Sequence, residues 1–191
     1  MSTLTVARRD GLVAIASDTL TTGGIKDSAA YVVNHHKILA LGENFVGVTG
    51  TTTGKLILAD YFSTLKKPPV FDSPLAVFRF WNAMHKVLKE DYFLRPEEED
   101  DDELESSRLD CLIASPHGIY GASALRTVQE FTRFYAAGSG RSFATGAMWA
   151  AEKRKISAEA LARLGVEAAC EFDEYTGAPV QSFTVKLRSH P

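Results

Sequence analysis

The fold of this chain is decided by one stretch near its start, STLTVARRDGLVAIASD, which occupies residues 2–18. Residues 4–8 and 12–17 are apolar and rich in strand-forming types, and Asp10-Gly11 between them is a strong signal for a hairpin turn. The stretch ends on a single acid, Asp18. It therefore predicts two paired antiparallel strands with an aspartate at the end of the second.

The same stretch offers a nucleophile. Ser2 becomes the amino-terminal residue once Met1 is removed, with Thr3 immediately behind it. A hydroxyl is a weak nucleophile near neutral pH and needs a base; the residue's own α-amine, with an ordinary pKa of about 7.7–8.0, can be that base. A lysine held by an aspartate would lower the pKa of both groups. Asp18 and Lys37 are the candidates for that pair.

Composition sets the broad class. With 191 residues, 45% of them apolar, the chain suits one domain over residues 1–191 with a real core. Its net charge of −3 is not the positive charge that is typical of a domain that binds nucleic acid. We expect no membrane span and no secretory signal. Cys111 and Cys170 lie in apolar surroundings without metal-ligand spacing, so we expect buried reduced thiols and a cytoplasmic protein.

Charge is concentrated in one place. Residues 97–105 hold eight of the 24 acidic residues and no basic one. One interpretation is a solvated loop between two elements. The other is a negative patch at a pore or docking surface that would repel acidic peptides.

Spacing and turn residues predict the other elements. Strands are expected over residues 37–41, 45–49, 109–115, 119–123, 129–135 and 182–187, and helices over 52–65, from Pro74 onward, over 142–153 and from the N-cap Ser157 to about 172. A core stripe on the second helix is expected to contain Leu75, Phe78, Trp81, His85, Leu88 and Tyr92. The order predicts an α+β fold, a four-layer αββα sandwich of two antiparallel sheets with a helix pair on each.

Three apparent motifs are not supported. Residues 50–56, GTTTGKL, have three residues between the glycines rather than the four of a phosphate loop, and no hydroxyl residue follows the lysine. Residues 121–125 lack the final glycine of a nucleophile elbow. His35 and His36 have no further ligand at a suitable spacing, so we expect solvated or structural histidines rather than a metal site.

Four short patterns run in order through nearly the whole chain. They are the Arg-Arg-Asp-Gly hairpin ending in Ala16-Ser17-Asp18, Lys37-Ile38 followed by Val48-Thr49-Gly50-Thr51, Ala137-Gly138-Ser139-Gly140 with Ala144 and Gly146, and Asp173-Glu174-Tyr175-Thr176-Gly177. Each is weak alone. Together, at matching intervals, they resemble the proteasome β-subunit superfamily of N-terminal nucleophile hydrolases, which includes HslV and the stand-alone bacterial proteasome homologues.

The resemblance implies a role for each matching position. Ser2 falls at the catalytic threonine position. Asp18 and Lys37 fall where charges support the nucleophile, although an ordinary ion pair at a strand end is the alternative. Gly50 falls where a backbone N–H stabilises the oxyanion. The positions that form hydrogen bonds around the terminal amine, or alternatively only cap local structure, are Ser139, Asp173 and Thr176.

The chain departs from the family pattern in two ways. Serine replaces threonine at the first position, which keeps the hydroxyl and loses the methyl group that fixes its rotamer. The interval between Asp18 and Lys37 is also several residues longer than usual. Lys26 is therefore a rival to Lys37, although only Lys37 opens an apolar strand as the family lysine does.

The resemblance implies a self-compartmentalising peptidase, here of serine rather than threonine type, with no metal or organic cofactor. We expect a homo-oligomeric double ring of six or seven subunits per ring, with an apolar helix face (Leu56, Leu58, Tyr61, Phe62) buried between rings. Unfolded polypeptide would be the substrate, delivered by an ATP-dependent unfoldase or another activator. Two alternatives stay open: a ring that has lost proteolysis and acts as a binding compartment, favoured if Met1 is retained, and a small-molecule amidase.

Overall fold

The computed structural model describes residues 2–22, 26–27, 30–95 and 104–188, without the side chains of residues 26 and 27. Within them lie eleven strands and four helices. The strands are β1 (Thr3–Arg9), β2 (Leu12–Ser17), β3 (Thr21–Thr22), β4 (Lys26–Asp27), β5 (Ile38–Leu41), β6 (Asn44–Val48), β7 (Cys111–Ser115), β8 (Gly118–Ala122), β9 (Val128–Phe131), β10 (Phe134–Gly138) and β11 (Gln181–Lys186). The helices are α1 (Thr52–Thr64), α2 (Pro74–Glu90), α3 (Arg141–Ala151) and α4 (Ala158–Phe172).

The predicted opening hairpin is confirmed. β1 and β2 pair antiparallel, and both turn residues have positive φ, 51° at Asp10 and 71° at Gly11, as a type I′ turn requires. β10 and β11 flank the hairpin to make a four-stranded sheet in the order β10-β1-β2-β11. Because Leu4 pairs with Ser17, the start of β1 and Asp18 lie side by side at one end of this sheet.

The second sheet has five strands, β5 to β9, in chain order and all antiparallel. The hairpins predicted over residues 37–49 and 109–123 are confirmed; the first strand of each is shorter than predicted, and the second begins one residue earlier. Lys37 comes directly before β5, and its carbonyl accepts from Val48 N at 3.0 Å. Gly50 follows β6 by two residues, so Lys37 and Gly50 lie at the same end of this sheet.

Strand alternation sorts the side chains into layers. Large residues of the hairpin, Leu4, Val6, Val13 and Ile15, pack between the two sheets with residues such as Leu112 and Ile119. The small residues of the opposite face, Ala7, Ala14 and Ala16, pack against α3 and α4. Helices α1 and α2 cover the far side of the second sheet. The four-layer αββα sandwich is therefore confirmed.

The helix starts follow the predicted capping chemistry. Ser157 Oγ accepts from Ala160 N at 3.0 Å, and Ser73 Oγ accepts from Ala76 N at 3.3 Å with Pro74 as the first helical residue. In α2 the buried stripe consists of Val77, Trp81, Met84, His85 and Leu88. The predicted stripe was wrong in its first turn, where Leu75 and Phe78 are 54% and 41% exposed.

The strand predicted over residues 129–135 was wrong. This segment forms two strands that belong to different sheets: β9 pairs with β8, whereas β10 pairs with β1. The break falls at Thr132 and Arg133, and no glycine or proline marks it in the sequence. The two strands stay in contact, because the Phe131 ring stacks on Tyr135 with the centroids 4.0 Å apart.

The expected second apolar face of α1 was also wrong. Leu58 is fully buried in the core, and Tyr61 and Phe62 pack against that core, so only Leu56 is exposed. The larger exposed apolar residues of the helices lie elsewhere, at Trp149 and Phe172. Within the described residues, no helix is both long enough and apolar enough to cross a membrane.

Candidate active site

Ser2 is held at the end of the first sheet by the start of the β10–α3 connection. Its carbonyl accepts from Ser139 N at 3.0 Å. Gly138 has φ +98°, and a Cβ at this position would lie 1.8 Å from the Ser2 carbonyl oxygen. Both the backbone conformation and the close approach therefore require glycine here.

Asp18 and Lys37 form a buried ion pair in which Lys37 Nζ lies 2.8 Å from both carboxylate oxygens. The Asp18 carboxylate also accepts three backbone N–H groups, from Thr3 at 3.0 Å, Leu20 at 3.1 Å and Gly177 at 3.2 Å. Asp18 is fully buried, and Lys37 is 8% exposed. The carboxylate thus joins the starts of β1, β5 and two loops around one charge.

Burial lowers the pKa of Lys37 below its usual value of 10.5, although the adjacent Asp18 carboxylate acts to raise it. Desolvation disfavours the charged ammonium, and the ion pair favours it. The balance leaves Lys37 a better proton donor than an ordinary surface lysine.

A chain of hydroxyl groups lies behind Ser2. Thr176 Oγ1 donates to Asp173 Oδ2, which also accepts from Ser139 Oγ at 2.7 Å. Thr176 has only one hydroxyl proton, so in the 2.7 Å contact between Thr3 Oγ1 and Thr176 Oγ1 it is Thr3 that donates. Thr3 Oγ1 in turn accepts from the N–H of Gly140 at 3.2 Å. The Thr3 hydroxyl therefore both donates and accepts a hydrogen bond within the fold.

A cavity of about 220 Å³ opens beside these groups. Its walls come from the ends of both sheets and the start of α1, and they are formed by Ser2, Leu20, Thr21, Thr22, His35, Lys37, Val48, Gly50, Thr51, Thr52 and Lys55. Gly50 has φ +108°, and a Cβ there would meet open space, so its backbone conformation alone calls for glycine. Ser2, Lys37 and the backbone of Gly50 thus line the same cavity.

Solved structures share this fold. The structure of BPH from Thiobacillus denitrificans is 53% identical, with a TM-score of 0.93, and covers 98% of this chain and 100% of its own. The same protein in complex with epoxomicin gives 53% identity, the same coverage and a TM-score of 0.92.

This chain belongs to the proteasome β-subunit/HslV superfamily. Eukaryotic HslV from Trypanosoma brucei shows the same fold at 18% identity, with a TM-score of 0.69 over 96% of this chain and 99% of its own. No protein-family model matches the chain, and no curated protein does either.

In this proteasome-like chain the sequence-predicted residues fall into two groups. Ser2, Lys37 and Gly50 line the cavity, and Asp18 lies beneath it against Lys37. The second group, connected to Ser2 or Thr3 by hydrogen bonds, consists of Ser139, Asp173 and Thr176. All seven predicted positions therefore meet at one end of the two sheets.

Two predictions fall partly outside the described residues. The side chain of Lys26, the rival lysine, is not among them, and neither are residues 97–103 of the acidic segment. Glu105, at the end of that segment, is described: it pairs with Lys89 and with His85 Nε2, the latter at 3.2 Å. His85 is thus a buried histidine with a carboxylate partner.

The sequence reasoning missed Lys55 and His35 as cavity residues. Both lay in segments considered only as candidate phosphate or metal sites. Among the described residues, no group of three or more histidine, cysteine and acidic side chains is placed to hold a metal ion. The signal that could have found Lys55 is its position five residues after Gly50, one turn into α1.

Proposed function

We propose that this chain is a peptidase in which Ser2, as the amino-terminal residue, attacks the carbonyl carbon of a peptide bond. The observation that supports it most is the shared cavity of Ser2, Lys37 and Gly50, with Asp18 buried against the lysine. A nucleophile, a positive charge and a backbone donor are the parts that acyl transfer needs.

The proposed reaction has two halves. Ser2 Oγ forms a bond to the carbonyl carbon while its proton passes, through water, to the free α-amine of Ser2. The Gly50 N–H receives the oxyanion, and the peptide C–N bond then breaks as the leaving nitrogen takes up the proton. Water subsequently attacks the ester, which releases the carboxylic acid and restores the Ser2 hydroxyl. Lys37 keeps the potential positive, and Asp18 holds Lys37 in place.

Two rival nucleophiles are poorly placed for this role. Thr3 is fully buried, its hydroxyl is used on both sides, and its amide N–H donates to Asp18. The thiol of Cys170 has its pKa raised to about 11, first by burial and then by the nearby Asp18 carboxylate. It is therefore protonated near neutral pH and a poor nucleophile.

Assembly into rings is part of the proposal. Members of this superfamily form oligomeric rings, and we expect this chain to form a double ring of six or seven copies per ring in the cytoplasm. Its substrates would be unfolded polypeptides, admitted by an unfoldase or another activator.

Covalent labelling tests the proposed nucleophile. Epoxomicin is a peptide epoxyketone, and its complex with BPH of Thiobacillus denitrificans makes it the natural probe. An epoxyketone offers two electrophilic carbons, so a residue with both a hydroxyl and a free amine can attack both. We expect the intact mass to lack Met1 and to rise by the full mass of the reagent, with no leaving group. Stoichiometric Met1 on an unlabelled protein would instead favour the binding compartment.

Variants identify the supporting charge. Ser2→Ala and Lys37→Ala should abolish labelling while size-exclusion chromatography shows the assembly unchanged. Lys26→Ala is the matched control, since it removes the rival lysine, and it should label as the wild type does. Labelling lost in Lys26→Ala but kept in Lys37→Ala would assign the supporting charge to Lys26.

A further inference from the structure

The cavity beside Ser2 carries an excess of positive charge. Among the residues that the structure describes, its lining includes two lysines and no acidic residue. Lys37 is matched by Asp18 beneath it. Within the described part of the chain, Lys55 takes part in none of the ion pairs. Its ammonium donates to the carbonyl of Asn34, which leaves two of its three N–H donors for another partner.

The start of α1 adds to this charge. Gly50, Thr51 and Thr52 line the cavity, so the positive end of the helix dipole faces it. The first turn of α1 holds no acidic residue, and Lys55 closes that turn. A cation at a helix amino terminus opposes the dipole, so helix stability does not explain this lysine. Burial, and then the charge of Lys37, lower the pKa of Lys55.

We propose that the cavity is a subsite for an acidic side chain, the aspartate or glutamate whose own carbonyl Ser2 attacks, and that Lys55 determines this specificity. The inference rests on the proposed peptidase function and names its substrate class. Ser2 and Gly50 both face the cavity. When the carbonyl group of a substrate residue lies between them, the side chain of that same residue is next to the cavity.

The energetics favour a carboxylate over a neutral group. The partly desolvated ammonium of Lys55 is stabilised more by an anion than by a neutral group, because the anion replaces the favourable interaction with water that burial removed. The cavity of about 220 Å³ is far larger than one water needs, which leaves room for one side chain with some water. A neutral side chain of the same shape would leave the Lys55 donors unpaired, and sites of that kind discriminate strongly.

A pair of matched peptides tests the subsite. The two fluorogenic peptides differ only in glutamate or glutamine at the attacked residue, and the readout is the ratio of their kcat/KM values. We expect the wild type to favour glutamate. Lys55→Met should lower the ratio about ten-fold, and Lys55→Glu should bring it below one. Lys153→Met, which removes an exposed lysine between α3 and α4, should leave both rates and the ratio unchanged.

The possible outcomes separate this inference from the function on which it rests. Equal losses on both peptides in Lys55→Met would show that Lys55 acts only in structure and would overturn the subsite. A wild type that cleaves both peptides equally, or that epoxomicin labels although neither peptide is cleaved, would overturn the subsite and leave the nucleophile standing. A wild type that is neither labelled nor active would remove the peptidase proposal and the subsite with it.

Discussion

At the scale of single residues, the strongest constraint is the charge of Lys37. The proposed role requires its cationic form, which exists below its pKa, and burial places that pKa below 10.5. Labelling by epoxomicin should therefore rise as the Ser2 amine loses its proton and fall again, before pH 10.5, as Lys37 becomes neutral. The measurement is the labelling rate against pH, corrected for reagent loss without protein.

A conservative variant assigns the alkaline limb. An arginine in place of Lys37 stays charged, because the guanidinium pKa exceeds about 12. In Lys37→Arg the alkaline fall should therefore move to higher pH while the acidic limb stays. An unchanged alkaline limb in this variant would assign the titration to a group other than Lys37.

Apart from Gly50, the site residues that the sequence predicted have side chains with a distinctive chemistry. Asp18 and Lys37 were predictable because Asp18 directly follows one apolar strand and Lys37 opens another, and the packing of the two sheets brings these strand ends together. The backbone N–H groups of Leu20 and Gly177, which also bind Asp18, have no signature in the sequence. They depend on loop conformations that only the folded chain defines.

At the scale of elements, the connection from β10 to α3 controls the position of Ser2. A Cβ on Gly138 would lie 1.8 Å from the Ser2 carbonyl oxygen, whereas a Cβ on Gly146, within α3, would meet no atom within 4 Å. Gly138→Ala should therefore displace Ser2 and cut the labelling rate by about a hundred-fold, since small misplacements at a reacting centre are costly. Gly146→Ala should raise the free energy of unfolding by about 0.5–1 kcal/mol through helix propensity.

The two glycine variants control for each other, because each adds one methyl group. Gly138→Ala adds it where β10 ends, and Gly146→Ala adds it within α3, the helix that follows. Labelling rates and urea denaturation on the same preparations would check them. If Gly138→Ala is labelled at the wild-type rate, the close approach to Ser2 is not what positions the nucleophile.

Element prediction succeeded where periodicity and caps agree, as at Ser157 and the hairpin at Asp10-Gly11. It failed between β9 and β10. There Thr132 and Arg133 separate the two strands without glycine or proline to mark the change of sheet, and Phe131 and Tyr135 pack on each other across it. The local order of residue types cannot distinguish one long strand from two consecutive strands that belong to different sheets.

At the scale of the whole molecule, the four layers explain why the site lies where it does. The two sheets pack through Leu4, Val6 and Ile15, and this brings the end of the opening hairpin next to the start of β5. The proposed nucleophile, Ser2, comes from the end of one sheet, and Lys37 and Gly50 come from the end of the other. The order of elements predicted this packing, because each sheet needs one face for its helix pair and the other for its neighbour.

Assembly is the last prediction. Phe143 and Phe172, 44% and 68% exposed, place their rings 5.6 Å apart on the outer surface of α3 and α4. We expect this aromatic pair to be covered in the double ring, since burying a phenylalanine side chain contributes about 1.5–3 kcal/mol. Phe172→Glu should shift native mass spectra from the double ring to smaller species, whereas Glu171→Gln, a change at the neighbouring exposed residue, should leave the assembly intact. A wild type that stays a monomer or dimer at micromolar concentration would refute the ring itself. A Phe172→Glu protein that still assembles would place the interface elsewhere.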